Sequence, residues 1–185
     1  DGLNKIKKDH FTAYTKDSGL PDTYINALAE DSSGTIWIGT RNGIAKLSQG
    51  RISTLTTKDG LVDNDTRNIT ITRDGSVWIG TEKGLTRITQ NGGGGRFEKI
   101  TEDSGLSSNK ISEVYESPDG TIWIGTERGG LNKFKDGKFS RFTVQDGLSD
   151  NSIFSIAEDK EGKLWLGTGT GLDYLEGNRV VNYSK

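Results

Sequence analysis

Four tryptophans, one histidine and a series of Asp–Gly turns are the residues of this 185-residue chain whose types invite a chemical reading. Trp37, Trp78, Trp123 and Trp165 offer the broad aromatic faces on which sugar rings stack, but large aromatics also dominate the energetics of buried contacts. His10 is the only histidine, and the chain has no cysteine. A catalytic triad or a zinc centre needs partners at defined spacing, which one His alone does not supply. Beside Phe11 at the head of a polar stretch, it reads as a solvated edge residue. Glycoside hydrolysis needs a positioned acid and nucleophile, whereas the carboxylates here recur as parts of turns. Asp and Asn cluster in those turns without the spacing of a calcium loop, so their side chains read as shaping backbone. The expectation is a chain that is not an enzyme, with no metal and no cofactor.

The elements that position these residues are repeats. Gly34 to Thr40 reads GTIWIGT and returns as GSVWIGT (Gly75 to Thr81), GTIWIGT (Gly120 to Thr126) and GKLWLGT (Gly162 to Thr168). The tryptophans stand 41, 45 and 42 residues apart, and the four glycines Gly92 to Gly95 account for the longer interval. A fixed period in the low forties with short strands in each unit is the signature of a β-propeller array. The expected fold is all-β: four four-stranded blades plus an extra N-terminal hairpin. Each unit lays out an inner strand A after a Gly-Leu element, strand B with the Trp, strand C opening on Gly, and a polar outer strand D. Leu28, Ile69, Val114 and Ile156 sit at matching places in strand A. Placed mid-strand between apolar residues, the four Trp read as packing between blades. Together with Gly39, Gly80, Gly125 and Gly167 they form the structural anchors of the repeat. C and D occur five times, A and B four. The blades are therefore expected at 16–56, 57–100 (with a junction to 101), 102–143 and 144–185, behind a surplus C–D hairpin at 1–15. The tetraglycine falls in a C–D hairpin, natural or engineered.

Composition narrows the class. With 30% apolar residues and 26 glycines, many thin layers between strands fit better than one deep core. A net charge of −2 with both signs interspersed gives no electrostatic footprint for nucleic acid. No apolar run is long enough for a transmembrane helix. The chain has no Met, which reads as a processed, excised or engineered piece.

The recurring pattern GLxxNxIxxIxED-x-x-G-x-[IL]-W-[IL]-G-T-x-x-G-L resembles the two-component regulator propeller repeat. Unit two departs at Thr66, Ile71 and Thr72, and unit one has Thr23 in place of Asn. The spacing Asp31-x-x-Gly34-x-x-Trp37 is also similar to the Asp-box of sialidases, a turn that lies away from their catalytic centre. The family resemblance implies a periplasmic or extracellular sensor propeller that detects polysaccharide breakdown products. If strands alternate in direction, the D–A and B–C loops share one face, and scaffolds of this kind bind through loops. The expected binding residues are Arg41, Asn42, Glu82, Lys83, Asn109, Glu127 and Arg128. The expected partner is an oligosaccharide or a protein. Alternatively the chain is a self-assembling or engineered scaffold whose partner is another copy of itself, as a homo-oligomer or by strand complementation.

Overall fold

A computed structural model describes residues 2–8, 10–91 and 94–183, so Gly92 and Gly93 of the tetraglycine lie outside the described residues. The chain forms two compact units, Asp1–Glu82 with Thr86–Lys99, and Lys83–Leu85 with Ile100–Lys185.

The first unit opens on a two-stranded hairpin, β1 (Leu3–Lys7) and β2 (His10–Tyr14). One blade follows as β3 (Ile25–Glu30), β4 (Ile36–Thr40), β5 (Gly43–Ser48) and β6 (Arg51–Leu55). The next is β7 (Thr66–Ile71), β8 (Val77–Thr81), β9 (Leu85–Asn91) and β10 (Gly94–Ile100). The second unit holds β11 (Ile111–Glu116), β12 (Ile122–Thr126), β13 (Leu131–Lys135) and β14 (Lys138–Phe142). Its other blade is β15 (Ile153–Glu158), β16 (Leu164–Thr168), β17 (Leu172–Glu176) and β18 (Arg179–Asn182). Neighbours in each sheet follow chain order. The fold is all-β, four four-stranded sheets and a hairpin, as the repeats imply.

The Gly-Leu element works as a turn and a core residue at once. Thr15, Thr101 and Thr143 each open a one-turn 3-10 segment that closes at Gly19, Gly105 and Gly147, with φ of 100°, 107° and 107°. A side chain is disfavoured in that left-handed conformation, so glycine occupies it. The next residue turns back into the core. Leu20, Leu61, Leu106 and Leu148 are all buried. Their amides donate to the carbonyls of Thr15, Thr56, Thr101 and Thr143 at 3.1–3.2 Å.

Packing runs from one blade to the next. Trp37 on β4 is 1% exposed and joins Ile69, Val77, Ile79 and Ile88 of the following blade in one cluster with Leu61. Trp123 repeats this in the second unit with Leu148, Ile153, Ile156 and Leu164. The glycine two residues after the Trp allows the approach. A Cβ on Gly39 would lie 2.6 Å from Thr66 Cγ2 and 3.2 Å from Ile69 Cδ1, and one on Gly125 would lie 3.0 Å from Ile153 Cγ2.

Each inner strand also carries a β-bulge, between Ile25 and Ala27, Thr66 and Asn68, Ile111 and Glu113, and Ile153 and Ser155. Bulges re-aim a side chain. The bulged Asn26 donates across to Thr66 O at 2.9 Å, and Ser112 Oγ donates to Ile153 O. The sequence reading did not anticipate these bulges.

The matching positions of strand A are not equally buried. Ile69, Val114 and Ile156 are buried, but Leu28 at the matching place is 53% exposed. On that side of the β3–β4 pair the covering element is the β1–β2 hairpin. It packs Leu3 and Tyr14 against Leu20, Ile38, Ala45 and Leu47 and does not reach Leu28.

These contacts predict unequal costs for one substitution at two equivalent glycines. Gly39→Ala forces its Cβ onto the neighbouring blade, and overpacking of this kind costs about 1–3 kcal/mol. Gly167→Ala meets only the Ser155 side chain of its own blade, which can rotate away. Urea titration should show the larger loss of midpoint for Gly39→Ala; equal losses would contradict the interblade role of this glycine.

Candidate functional site

Within each unit the D–A and B–C loops lie on a common face, tied by backbone hydrogen bonds. In the first unit Gly43 N donates to Asn64 O at 2.8 Å. In the second, Glu127 N donates to Lys110 O (2.9 Å), Gly130 N to Asn151 O (2.7 Å) and Gly169 N to Ser152 O (3.0 Å). The Asn of the GLxxN element braces its own loop. Asn64, Asn109 and Asn151 accept through Oδ1 from the amides of Thr57, Glu102 and Val144 at 2.8–2.9 Å. Asn109 N also donates to Glu102 Oε1 at 2.9 Å, so this candidate is engaged in holding its loop.

In the first unit, Arg41 and Asn42 form the exposed turn between β4 and β5. Arg41 Cζ stands 4.2 Å from the centroid of the Tyr24 ring, a cation–π geometry. Asn42 Nδ2 reaches Pro21 O at 3.5 Å, and Asn42 N donates to Thr40 Oγ1 at 3.1 Å. Tyr24 is 61% exposed. Where other repeats have the bracing Asn this one has Thr23, and Asp22 braces the loop instead. Asp22 accepts from Tyr24 N at 2.9 Å and pairs with Lys16 Nζ at 3.6 Å. The backbone hydrogen bond from Tyr24, together with Lys16, holds the Asp22 carboxyl below its ordinary value. Glu82 is paired with Arg67 Nη2 at 2.7 Å, and that guanidinium also meets Asp65 Oδ2 at 3.3 Å.

In the second unit, Glu127 and Arg128 are exposed in the β12–β13 turn. Glu127 Oε2 lies 3.7 Å from Lys110 Nζ, and Arg128 has the left-handed φ of 65°. Lys83 is exposed in the β8–β9 turn. The geometry thus brings Arg41 and Asn42 together beside an aromatic ring, and Glu127 and Arg128 beside Lys110. Tyr24 was missed from sequence. Its signal was available: an aromatic residue directly after the one repeat that lacks the bracing Asn.

The tryptophans lie elsewhere. Trp37, Trp78 and Trp123 are buried and Trp165 is half-buried. Three of the indoles are anchored in the A–B turns. Trp37 Nε1 donates to Asp31 Oδ2 at 2.9 Å, Trp165 Nε1 to Asp159 Oδ2 at 2.7 Å, and Trp123 Nε1 to Ser117 Oγ at 2.9 Å. Thr72 holds the equivalent place in unit two, bonded to Asp74 Oδ1 at 2.6 Å. The Asp31 and Asp159 carboxylates also accept turn amides at 2.9–3.0 Å, and they serve the turn. His10 is exposed on β2. Among the described residues no group of three or more His, Cys, Asp or Glu could hold a metal ion. Among the described residues no helix is long and apolar enough to cross a membrane.

The repeat pattern described as two component regulator propeller matches residues 19–42, 60–83, 105–128 and 147–170, together more than half of the chain. Among solved structures, the chain is similar to the extracellular domain of the hybrid two component system BT3049 from B. thetaiotaomicron, with a TM-score of 0.79 and 21% identity. That match covers 90% of this chain and 23% of the other. The corresponding domain of BT4673 from the same organism gives 0.71 at 23% identity, covering 86% and 24%. Virginiamycin B lyase from Staphylococcus aureus, solved with quinupristin, gives 0.69 at 20% identity, covering 87% and 55%. At such identities the likeness is one of fold, and the chain spans about a quarter of the length of the first two. No curated protein matches the chain.

The anchoring of the indoles makes a pH prediction. The Trp165 hydrogen bond is the largest influence holding the Asp159 carboxyl below the ordinary 3.8. A lowered folded pKa contributes stability above the unfolded value, lost as pH falls through the folded one. Asp159→Asn should therefore lower the melting temperature at neutral pH, and the gap from wild type should close as pH drops below 3.8. A gap that stays constant down to acid pH would remove the ionised carboxylate from the account.

Proposed function

Because the chain belongs to the two component regulator propeller family, we propose that it is a non-enzymatic recognition module of a periplasmic or extracellular sensor, binding an oligosaccharide on the face of its D–A and B–C loops. The observation that carries this reading is the exposed Tyr24 ring with Arg41 at 4.2 Å and Asn42 beside it. With the Arg41 guanidinium over one face of the ring, the ring surface still in solvent and the planar guanidinium and amide donors beside it match a sugar, which has one apolar face and a rim of hydroxyls. The loop bearing Tyr24 is braced by Asp22 and Lys16, so little ordering is left to oppose binding. The location follows the solved relatives, which are described as extracellular domains. Glu127, Arg128 and Lys110 would form the polar site of the second unit, suited to a charged substituent or a protein partner.

Isothermal titration against a panel of neutral and acidic oligosaccharides tests this. For any saccharide that binds, Tyr24→Ala and Arg41→Ala should each weaken affinity about tenfold, equivalent to ~1.4 kcal/mol. Unchanged affinity in both variants, or no binding by any saccharide, would sink the reading.

A second reading, association of the chain with another copy of itself, is favoured by apolar residues on the last blade. Phe154 is 58% and Leu172 38% exposed, whereas Ile44 and Leu131 at the place of Leu172 are fully buried. Light scattering over a concentration series should then show mass growing with concentration, and Leu172→Glu should return the chain to monomer. A constant monomer mass in wild type rejects it.

A further inference from the structure

Between the third and fourth blades, at the end of the A–B and C–D turns, the second unit holds a cleft of two lobes. The inner lobe, about 260 Å³, is lined by Ser117, Trp123 and Lys133 of the third blade and Glu158, Leu164 and Leu175 of the fourth. The outer lobe, about 330 Å³, runs along β13 and β14 past Lys133, Lys135, Lys138 and Ser140. Lys133 and Asn178 line both lobes, so the two are continuous. Together they reach the size of small-molecule clefts. No residue of the D–A or B–C loops lines either lobe.

The walls carry polar groups with bonding capacity left over. Lys135 and Lys138 stand directly opposite each other in the β13–β14 ladder, where like charges repel. The same place in the fourth blade pairs Glu176 with Arg179. Asp119 neutralises Lys135 at 2.5 Å, and that hydrogen bond holds the Asp119 carboxyl well below its ordinary value. Lys138 has no such partner among the described residues, and Lys133 has the Trp123 ring, whose centroid is 5.3 Å from its Nζ. Across the cleft, Glu158 accepts through Oε2 from Ser117 Oγ, which itself accepts from Trp123 Nε1 at 2.9 Å. That relay fixes the carboxylate and leaves Oε1 without a partner among the described residues. The Asn178 amide and the Ser140 hydroxyl are exposed and likewise unbonded there. In the first unit Ile71 holds the place of Glu158 and Ser48 that of Lys135. This facing of cations and carboxylate thus belongs to the second unit.

We infer that this cleft is a second ligand site, for a small hydroxy acid: its carboxylate takes the charges of Lys138 and Lys133, and one of its hydroxyls donates to Glu158 Oε1. Each requirement comes from a wall. An anion offsets the repulsion that the Lys135–Lys138 pair leaves at Lys138, and ionised donors make the stronger hydrogen bonds to a carboxylate. An ionised Glu158 only accepts, so it takes a donor and rejects a second anionic group. A positively charged donor, such as the ammonium of an amino acid, is disfavoured because Lys133 lines the same lobe. A neutral hydroxyl meets both conditions. Asn178 and Ser140 bond the remaining hydroxyls of the ligand. The site is independent of the oligosaccharide reading, which rests on Tyr24 and Arg41 in the first unit.

The test is an NMR titration of the isotope-labelled full chain with glucuronate, followed at the indole N–H resonances of its four tryptophans. Trp123 lines the inner lobe, so its indole should shift saturably. Glucose lacks the carboxylate and inorganic sulfate lacks the hydroxyls, and each should bind about tenfold more weakly or worse. Lys138→Glu should weaken glucuronate about tenfold, whereas Lys58→Glu, the same charge change at an exposed lysine of the first unit, should leave it unchanged. Lys138 is exposed, so its replacement keeps the fold. Glu158→Gln removes the charge that repels a plain anion, and should raise the affinity for sulfate while lowering that for glucuronate. Tyr24→Ala should not alter this titration, which separates the site from the one on the loop face. The inference is overturned if no titrant shifts the Trp123 indole, or if Lys138→Glu binds glucuronate as wild type does. It is equally overturned if glutamate binds more tightly than glucuronate, which would make the occupant an amino acid.

Discussion

Trp37 and Trp123 are not buried by their own blades alone. A four-stranded sheet has two faces, and the face carrying Trp37 becomes dry only when the next blade lays Ile69, Val77 and Ile79 against it. The other features of the repeat serve that contact. Gly39 removes the Cβ that would strike Thr66, the bulge at Asn26 sends an amide across to the Thr66 carbonyl, and Leu61 fills the space beneath. Stability in such an array is a sum of units and nearest-neighbour interfaces. Within each unit one copy supplies the Trp face and the next copy supplies the apolar face that covers it.

The loops are free to carry function because the strands already hold them. The D–A and B–C loops are bound to each other by backbone hydrogen bonds, and three of the four are braced by the Asn of their own Gly-Leu element. Where that Asn is missing, at Thr23, the loop is held from its other side by Asp22, and Tyr24 stands in solvent with Arg41 over its ring. One change in a structural residue thus accompanies the most chemically distinctive patch on this face.

Two blade faces are covered differently from the rest. In the last blade the basic residue that lies over the Trp elsewhere is replaced by Tyr174, and Trp165 packs against both Tyr174 and Tyr183, with ring centroids 4.9 and 5.7 Å apart. Aromatic side chains of the same blade thus cover part of this indole. On the side of the β3–β4 pair that faces the β1–β2 hairpin, Leu28 remains 53% exposed.

The sequence by itself determined the architecture. The period of the Trp stretch, the alternation within strands and the glycines at the turns are local signals, and they suffice to count blades and order strands. The common loop face followed from strand direction alone. What a residue touches across a blade boundary was decided only by the tertiary structure. Leu28 has the same sequence context as Ile69 yet lies in solvent, because burial depends on what packs against it. Lys5 has the context of Lys133 but, among the described residues, no indole against it. Asn109, which reads as a ligand group, braces its loop, and Tyr24, which reads as an ordinary strand-prone residue, stands exposed beside Arg41. Period and propensity are properties of one segment, whereas burial and pairing belong to two. The second partner comes from a different part of the chain.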